Sequence, residues 1–178
     1  VDASFKEGCW PRDPQVDGFV LAEQKIFAEA QTTFWLSVVG DTLYIAAYAR
    51  EPRMDTLAAV QKDRDAALED DEHLTISLKT PKGAAFVFKT NPLGAQYDSR
   101  DGNPSWNGSW KVATAAYKEG WAAEFAIPFD ALGARPKRSE AWPMNFARFR
   151  NNVRKEDSAW AYDPETDRLS DWGNVIFN

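Results

Sequence analysis

Hydrophobic and polar residues alternate over short stretches of this chain, and Gly, Pro, Asn and Asp separate these stretches. Alternation with a period of two is typical of antiparallel strands that bury one face against a core. In residues 33–39, for example, Phe34, Leu36 and Val38 share one face, and the pattern resumes after a two-residue turn at Gly40-Asp41. Strands are predicted at residues 33–39, 42–49, 73–79, 84–90, 109–115, 121–127, 142–151 and 174–177.

Strands of this length and spacing predict an all-β fold, a two-sheet antiparallel β-sandwich of the jelly-roll or immunoglobulin-like kind. Residues 54–69 break the alternation, so we expect a long irregular loop there with at most a short helical turn. Residues 92–107 and 130–140 are rich in turn formers and are expected to be surface connections. No internal repeat is visible, and 178 residues are enough for one core, which predicts a single domain over residues 1–178.

The charge balance disfavours two classes of partner. The chain has 21 Lys+Arg against 27 Asp+Glu, a net charge of -6 that repels phosphate backbones and anionic lipids. No apolar run reaches the roughly 20 residues needed to span a bilayer. We therefore expect neither nucleic acid nor membrane as a partner. Because the chain begins at Val1 without a signal sequence, we expect a processed product or an excised module.

The residues needed for catalysis are scarce. Cys9 is the single cysteine and His73 the single histidine, which excludes thiolate clusters and His-rich metal sites. No nucleophile elbow or phosphate-binding loop is present. Glu124 is the best single candidate for a glycosidase acid, but its alternating strand position favours an exposed or salt-bridged structural role. The chain is therefore predicted not to be an enzyme.

Carboxylates cluster between residues 51 and 72, where Asp70 and Asp71 are adjacent. Hard oxygen ligands of this kind suit calcium, whereas a solvated acidic loop would carry the same residues without an ion. Both interpretations stay open at this point.

Aromatic side chains are the other resource, because sugar rings present apolar C–H faces that stack on flat side chains. Of the 8 tryptophans, Trp106 lies between Ser105 and Asn107 in a turn-rich segment and is the most free to meet a ligand. Trp35 lies opposite Phe34 on its strand and is either a platform or a second-layer core residue.

One strand presents a polar strip, which is either plain solvent-facing surface or the floor of a sugar groove. The strip faces away from Leu74, Ile76 and Leu78, and its residues are His73, Thr75, Ser77 and Lys79.

Motifs along the chain resemble the family 9 carbohydrate-binding modules, a group related to the DOMON-like β-sandwiches. In chain order they are LYIAA at 43–47, Arg50-Glu51-Pro52, Asp70-Asp71 before a strand, WNGSWKVAT at 106–114, GWAAEFAIPF at 120–129, WPMNFAR at 142–148 and Trp172-Gly173 before the last strand. The resemblance extends from about residue 10 to residue 177.

The resemblance implies a noncatalytic sandwich that binds a poly- or oligosaccharide by aromatic stacking and polar contacts. It also implies a covalently linked catalytic domain and a secreted, extracellular or periplasmic location. Members clamp a terminal sugar between two tryptophans, and the corresponding positions here hold Leu68 and the polar run 165–167.

Several positions match polar residues of the family. Lys89 and Asn91 match its basic and amide positions, and Arg148 follows its Asn-Phe-x-Arg motif. The resulting candidate carbohydrate-binding residues are Trp106, Lys89, Asn91, Arg148, His73 and Trp35. Glu51 and Asp71 match acidic positions that resemble the family's calcium ligands, so the candidate structural calcium site comprises Glu51, Asp70 and Asp71.

Two alternative functions remain open. Relatives with a similar sandwich bind haem, and His73 with Met54 or Met144 would provide the His/Met ligation of an electron-transfer domain. A purely architectural spacer that positions a neighbouring domain would need no ligand at all.

Overall fold

The computed structural model describes residues 1–161 and 172–177. Within them the chain forms short strands, one 3₁₀ helix at Met54–Thr56 and one turn of α-helix, α1, at Phe129–Leu132. The strands are β1 Val20–Leu21, β2 Thr32–Val39, β3 Thr42–Arg50, β4 His73–Lys79, β5 Ala85–Thr90, β6 Gln96–Arg100, β7 Lys111–Tyr117, β8 Gly120–Pro128, β9 Glu140–Asn151, β10 Lys155–Ala159 and β11 Gly173–Phe177.

The strands form two antiparallel sheets. The larger sheet has the order β1-β10-β9-β4-β5-β6, and β11 pairs with β9 on the same edge as β10. The smaller sheet has the order β2-β3-β8-β7. These sheets confirm the predicted all-β sandwich, and the hairpin between β2 and β3 turns at Gly40, whose φ of 58° lies in the left-handed region.

The core lies between the sheets and is built from the inward residues of both. In β4, Leu74, Ile76 and Leu78 point inward and are fully buried, so that alternate residues face outward. The largest buried rings come from both sheets and include Phe34, Trp121, Phe125, Trp142 and Phe146. Their burial gives the sheets a rigid mutual packing on which the outer faces rest.

Three strands, β1, β6 and β10, lie where the sequence pattern predicted none. The expectation of a surface connection at residues 92–107 is wrong for Gln96–Arg100, which pairs with β5. This strand does not show hydrophobic alternation, because its inward residue is the fully buried Asp98. Asp98 accepts hydrogen bonds from Arg64 at 2.6 Å and from the backbone N–H of Gly108 at 2.5 Å.

Among the described residues no helix is long and apolar enough to cross a membrane.

Candidate functional site

Arg148, a predicted sugar ligand, lies inside the sandwich with 1% of its side chain exposed. Its Nε donates to Glu72 Oε1 at 2.7 Å, and its Nη1 donates to the carbonyl oxygens of Ala30 at 3.3 Å and Arg50 at 2.8 Å. Its Nη2 contacts Glu72 at 2.7 Å and Glu51 at 3.5 Å. The guanidinium group is therefore surrounded by protein acceptors and serves the fold.

Glu51, a predicted calcium ligand, is fully buried against arginines. Its Oε2 accepts from Arg150 Nε at 2.7 Å, and its Oε1 accepts from Arg150 Nη2 at 3.1 Å and from the backbone N–H of Arg53 at 2.9 Å. Burial alone would raise the pKa of Glu51, but the hydrogen bonds from Arg150 and Arg53 outweigh it and lower the pKa to about 2. Guanidinium groups thus provide the positive charge beside this carboxylate.

Asn91 and Asp71 hold the loop that precedes β4. Asn91 Nδ2 donates to the carbonyl of Gln61 and to Asp71 Oδ2, both at 2.8 Å. Its Oδ1 accepts the backbone N–H groups of Leu93 at 3.1 Å and Ala95 at 3.0 Å. These four bonds use the full capacity of the amide, so Asn91 has a structural role here.

The three predicted calcium ligands do not converge on one point. Glu51 faces arginines, and Asp71 Oδ2 accepts the backbone N–H of Gln61 at 2.8 Å. The side chain of Asp70 is 92% exposed and pairs with Lys155 at 2.9 Å. Because calcium takes six to eight oxygen ligands around one centre, this set does not fit the ion.

Glu124 anchors the N-terminal segment. Its Oε2 accepts the backbone N–H groups of Asp2 at 2.9 Å and Ala3 at 3.0 Å. Among the described residues it forms a carboxylate cluster within 4.8 Å with Asp2 and Glu7, which are exposed. The expectation of an exposed or salt-bridged Glu124 is wrong: its side chain is buried, because the N-terminal segment covers the outer face of the smaller sheet.

The two predicted platform tryptophans contact other aromatic rings. Trp35 lies on the outer face of the smaller sheet, with its ring 5.9 Å from that of Phe5. Trp106 packs edge-on against the core residues Phe86 and Phe88, at centroid distances of 5.2 and 6.2 Å. Trp106 is partly buried, so its expected freedom in a loop is not observed.

His73 is buried on the outward side of β4. Its Nδ1–H donates to the carbonyl of Asp71 at 2.8 Å, and its ring lies 5.4 Å from that of Phe149. Burial lowers the pKa of His73, and the positive charge of Lys89 lowers it further, although the Asp71 hydrogen bond opposes both. Burial thus favours the neutral form of this imidazole.

The sheet separates His73 from the methionines of the haem hypothesis. Met144 is fully buried in the core on the inward side of β9, and Met54 packs against that core. His73 faces outward, so the geometry does not place His73 and Met144 on the two sides of one haem.

Lys89 belongs to a group of partly exposed side chains on the outer face of the larger sheet. Register brings Thr75, Lys89 and Tyr97 into one row across β4, β5 and β6. We call this surface the polar shelf and define it by Thr75, Ser77, Lys79, Lys89, Tyr97 and Trp172.

Aromatic rings hold both lysines of the polar shelf in place. Lys89 Nζ lies 5.3 Å from the ring centroid of Tyr97, and Lys79 Nζ lies 4.2 Å from that of Trp172. Trp172 directly precedes β11, whose Gly173 pairs with β9. The indole therefore reaches the same face as the polar residues of β4, and it is only partly buried.

The floor of the polar shelf is formed by small side chains. Ser77 of β4 pairs with Val87 of β5 and with Asn145 of β9, and Thr75 of β4 pairs with Ala147 of β9. The polar shelf thus offers hydroxyl and ammonium groups beside two aromatic rings. Such a surface suits a ligand with many hydroxyl groups.

A cavity of about 530 Å³ lies elsewhere, at the open side between the sheets. Trp160, Leu36 and Val175 line it together with three polar residues, Gln15, Ser37 and Asn174. Gln15 donates to and accepts from the backbone of Leu36, and Ser37 donates to the carbonyl of Cys9. The side chains of Gln15 and Ser37 are therefore already engaged by the protein itself.

No protein-family model matches the sequence, and no curated protein matches it. Solved structures do match. A Bacteroides uniformis protein, provisionally assigned as carbohydrate-binding, aligns with a TM-score of 0.66 and 12% identity over 90% of this chain and 86% of that one. A family 9 carbohydrate-binding module from Caldicellulosiruptor kristjanssonii in complex with cellotriose aligns with a TM-score of 0.62 and 13% identity, over 93% of this chain and 90% of that one. A family 9 module from Caldicellulosiruptor kristjanssonii in complex with glucose aligns with a TM-score of 0.61 and 13% identity, over 93% of this chain and 92% of that one.

This chain has the fold of a family 9 carbohydrate-binding module. The resemblance in the sequence motifs is thus confirmed at the level of the fold. In this module-like chain the first clamp position, Leu68, is buried, and the second, at 165–167, lies outside the described residues.

The module-like fold separates the residues that the sequence grouped. Lys89 and His73 lie on the outer face of the larger sheet, whereas Asn91 and Arg148 are interior and Trp35 lies on the other sheet. Sequence reasoning assigned Trp172 to a strand motif and missed Tyr97. The strand pairing of β5 with β6 was the missing signal, since it alone places Tyr97 beside Lys89.

Proposed function

We propose that this chain is a noncatalytic carbohydrate-binding module that holds a poly- or oligosaccharide on the polar shelf. The observation that carries the proposal is the arrangement of Trp172 and Tyr97 around the hydroxyl groups of Thr75 and Ser77 on one sheet face. Aromatic rings complement the apolar C–H faces of a sugar, and hydroxyl groups complement its polar edges. An antiparallel sheet keeps both in fixed positions, which lowers the entropy lost on binding.

The similar structures support this proposal. The Caldicellulosiruptor kristjanssonii module has been seen in complexes with cellotriose and with glucose. At 12–13% identity the likeness extends to the fold, so the choice of saccharide for this chain must come from its own surface.

A binding role without catalysis agrees with the chemistry of the polar shelf. Glycoside hydrolysis uses two carboxyl groups that flank the scissile bond. The outward positions of β4, β5 and β9, strands that the structure describes throughout, carry no carboxylate. The buried Glu51 and Glu72 are bonded to arginines inside the sandwich and do not face this surface.

From the motif resemblance alone, we propose that this chain is one module of a larger protein. The chain would be covalently linked to a polysaccharide-active catalytic domain in a secreted, extracellular or periplasmic protein. Expression of the full-length parent protein and sequencing of its flanking regions would test this context.

The test of the binding site is affinity electrophoresis and calorimetry with cellotriose, glucose and a panel of polysaccharides. We expect Trp172→Ala to weaken binding on the order of tenfold or more, because a tryptophan contact is commonly worth more than 1 kcal/mol. Trp35→Ala is the matched control, since the same change is made on the other sheet. Circular dichroism and melting curves verify that both variants fold.

Two results would contradict the proposal. If the folded wild-type chain retains no saccharide, binding is excluded and the architectural spacer becomes the explanation. If Trp172→Ala leaves the affinity unchanged while Trp35→Ala abolishes it, the ligand lies on the smaller sheet instead.

A further inference from the structure

In the part of the chain that the structure describes, Lys79 and Lys89 of the polar shelf have no ion-pair partner. Within residues 1–161 and 172–177 neither ammonium group has a carboxylate within 4.0 Å. Lys155, by contrast, pairs with Asp70, and Arg150 pairs with Glu51 and Glu156. The two shelf lysines instead lie over aromatic rings, which orient an ammonium group while leaving its charge uncompensated.

The neighbouring outward residues do not neutralise these lysines. Thr75, Ser77 and Asn145 are uncharged, and the nearest strand that presents a carboxylate outward is β10, at Asp157. Asp157 of β10 pairs with Phe149 of β9, and Phe149 pairs with His73 at the start of β4. Asp157 therefore lies beyond β9, and Lys79 is at the opposite end of β4. Considering the described residues alone, the shelf is therefore a locally positive surface, on a chain with a net charge of -6.

The spacing of the two charges fits an extended ligand. Lys89 lies opposite Thr75, which is four positions from Lys79 along β4. At about 3.3 Å per residue, roughly 13 Å of strand separates the two lysine positions. Thr75 lies beside Lys89 and Ser77 lies between Thr75 and Lys79, so a ligand that meets both charges also crosses the hydroxyl floor.

We propose that the polar shelf selects a saccharide that carries carboxylate or sulfate groups. This inference rests on the proposed carbohydrate-binding function and adds the charge of the ligand. Ammonium groups without counterions form charge-assisted hydrogen bonds with such anions, which are about twice as strong as bonds to neutral oxygens. Hydroxyls and aromatic rings between the lysines contact the uncharged parts of the sugar.

The experiment uses polysaccharide pairs that share a backbone and differ in charge: polygalacturonate with its methyl ester, and carboxymethyl cellulose with hydroxyethyl cellulose. Cellulose sulfate and chondroitin sulfate test sulfate as the anion. Affinity is measured at 0.1 M and at 1 M salt, where the Debye length falls from about 10 Å to about 3 Å. We expect the charged member of at least one pair to bind on the order of tenfold more tightly at low salt.

Variants assign the preference to the shelf. Lys79→Gln/Lys89→Gln should lose the preference for the charged polymer and its salt dependence, so that the two members of each pair bind with similar affinity. Lys111→Gln is the control, because Lys111 is an exposed lysine on the smaller sheet. Melting curves show whether each variant folds.

The outcomes distinguish this inference from the proposed function. Equal affinity for both members of every pair, unchanged by the double substitution, overturns the charge selectivity and leaves neutral-sugar binding intact. Failure of the folded chain to bind any polymer or oligosaccharide overturns both. A preference for charge that Lys111→Gln reduces as much as the shelf variant does would place the anion site elsewhere and overturn the inference.

Discussion

Substitution of Arg148 by methionine is expected to cause a large loss of stability. The change keeps most of the side-chain volume but removes the guanidinium that lies between the buried carboxylates of Glu72 and Glu51. Glu72 retains the indole N–H of Trp121 at 3.0 Å and the backbone N–H of Asn151 at 2.9 Å, but it loses its positive partner. Breaking a buried ion pair by removing one member costs about 3–5 kcal/mol, which corresponds to a melting temperature lower by about 6–20 °C in a domain of this size.

Arg53→Met is the matched control, because it removes an exposed arginine whose Asp55 partner is also exposed. That change should cost less than about 1 kcal/mol. The assay is equilibrium denaturation in urea together with thermal melts at pH 7.

A second variant separates lost packing from lost charge. In Arg148→Met/Glu72→Gln the amide oxygen can still accept from Trp121, and the uncompensated charge is gone. We expect this double variant to regain on the order of 1–3 kcal/mol relative to Arg148→Met. The reasoning is refuted if Arg148→Met melts within about 2 °C of wild type, or if its folded fraction loses saccharide affinity that its stability does not explain.

Three further predictions concern metal, pH and packing. Excess chelator should leave the melting temperature unchanged, since arginines surround Glu51; a chelator-dependent drop would show a bound ion that stabilises the fold. The pKa of Glu51 is about 2 in the folded chain, so its contribution to stability is complete above about pH 4.5 and is lost as the pH falls toward 2. Denaturation curves for Glu51→Gln should lack that acid-dependent part, whereas an unchanged pH slope would contradict the buried ion pair. Trp106→Ala should destabilise the chain by about 2 kcal/mol, because its ring packs on the core; Gly108→Ala should act in the same direction, since its Cβ would meet the Trp106 ring. Saccharide affinity measured on the folded fraction should be unaffected by either change, and a selective loss in Trp106→Ala would assign that ring to the ligand.

Local sequence patterns were sufficient for most of the sandwich. The strand β4 was predicted with its observed bounds, since Leu74, Ile76 and Leu78 alternate with polar residues. The same rule failed for β6 and β10, whose inward or edge positions hold Asp98 and Ser158 instead of apolar residues. Hydrogen bonds to Arg64 and Gly108 make the burial of Asp98 acceptable, and these partners lie 34 and 10 residues away along the chain.

The candidate site was predicted only in part. Lys89 and the polar strip of β4 follow from alternation within single strands, which the sequence displays directly. The interior roles of Arg148 and Asn91 do not follow from such alternation, because a polar residue type carries no information about whether its hydrogen-bond partners lie in the protein or in a ligand. The partners are also distant in the sequence: Glu72 lies 76 residues from Arg148, and Ala30 lies 118 residues from it.

The sequence by itself determined that this chain forms strands, which residues of each strand are apolar, and that its chemistry is poor in histidine and cysteine. The tertiary structure decided which strands are neighbours, and therefore that Tyr97 lies beside Lys89 and Trp172 beside Lys79. Period-two alternation is a local property of the backbone, whereas register between strands depends on the packing of the whole core. The polar shelf, which combines residues of three strands with the residue that precedes a fourth, is consequently visible only once that packing is known.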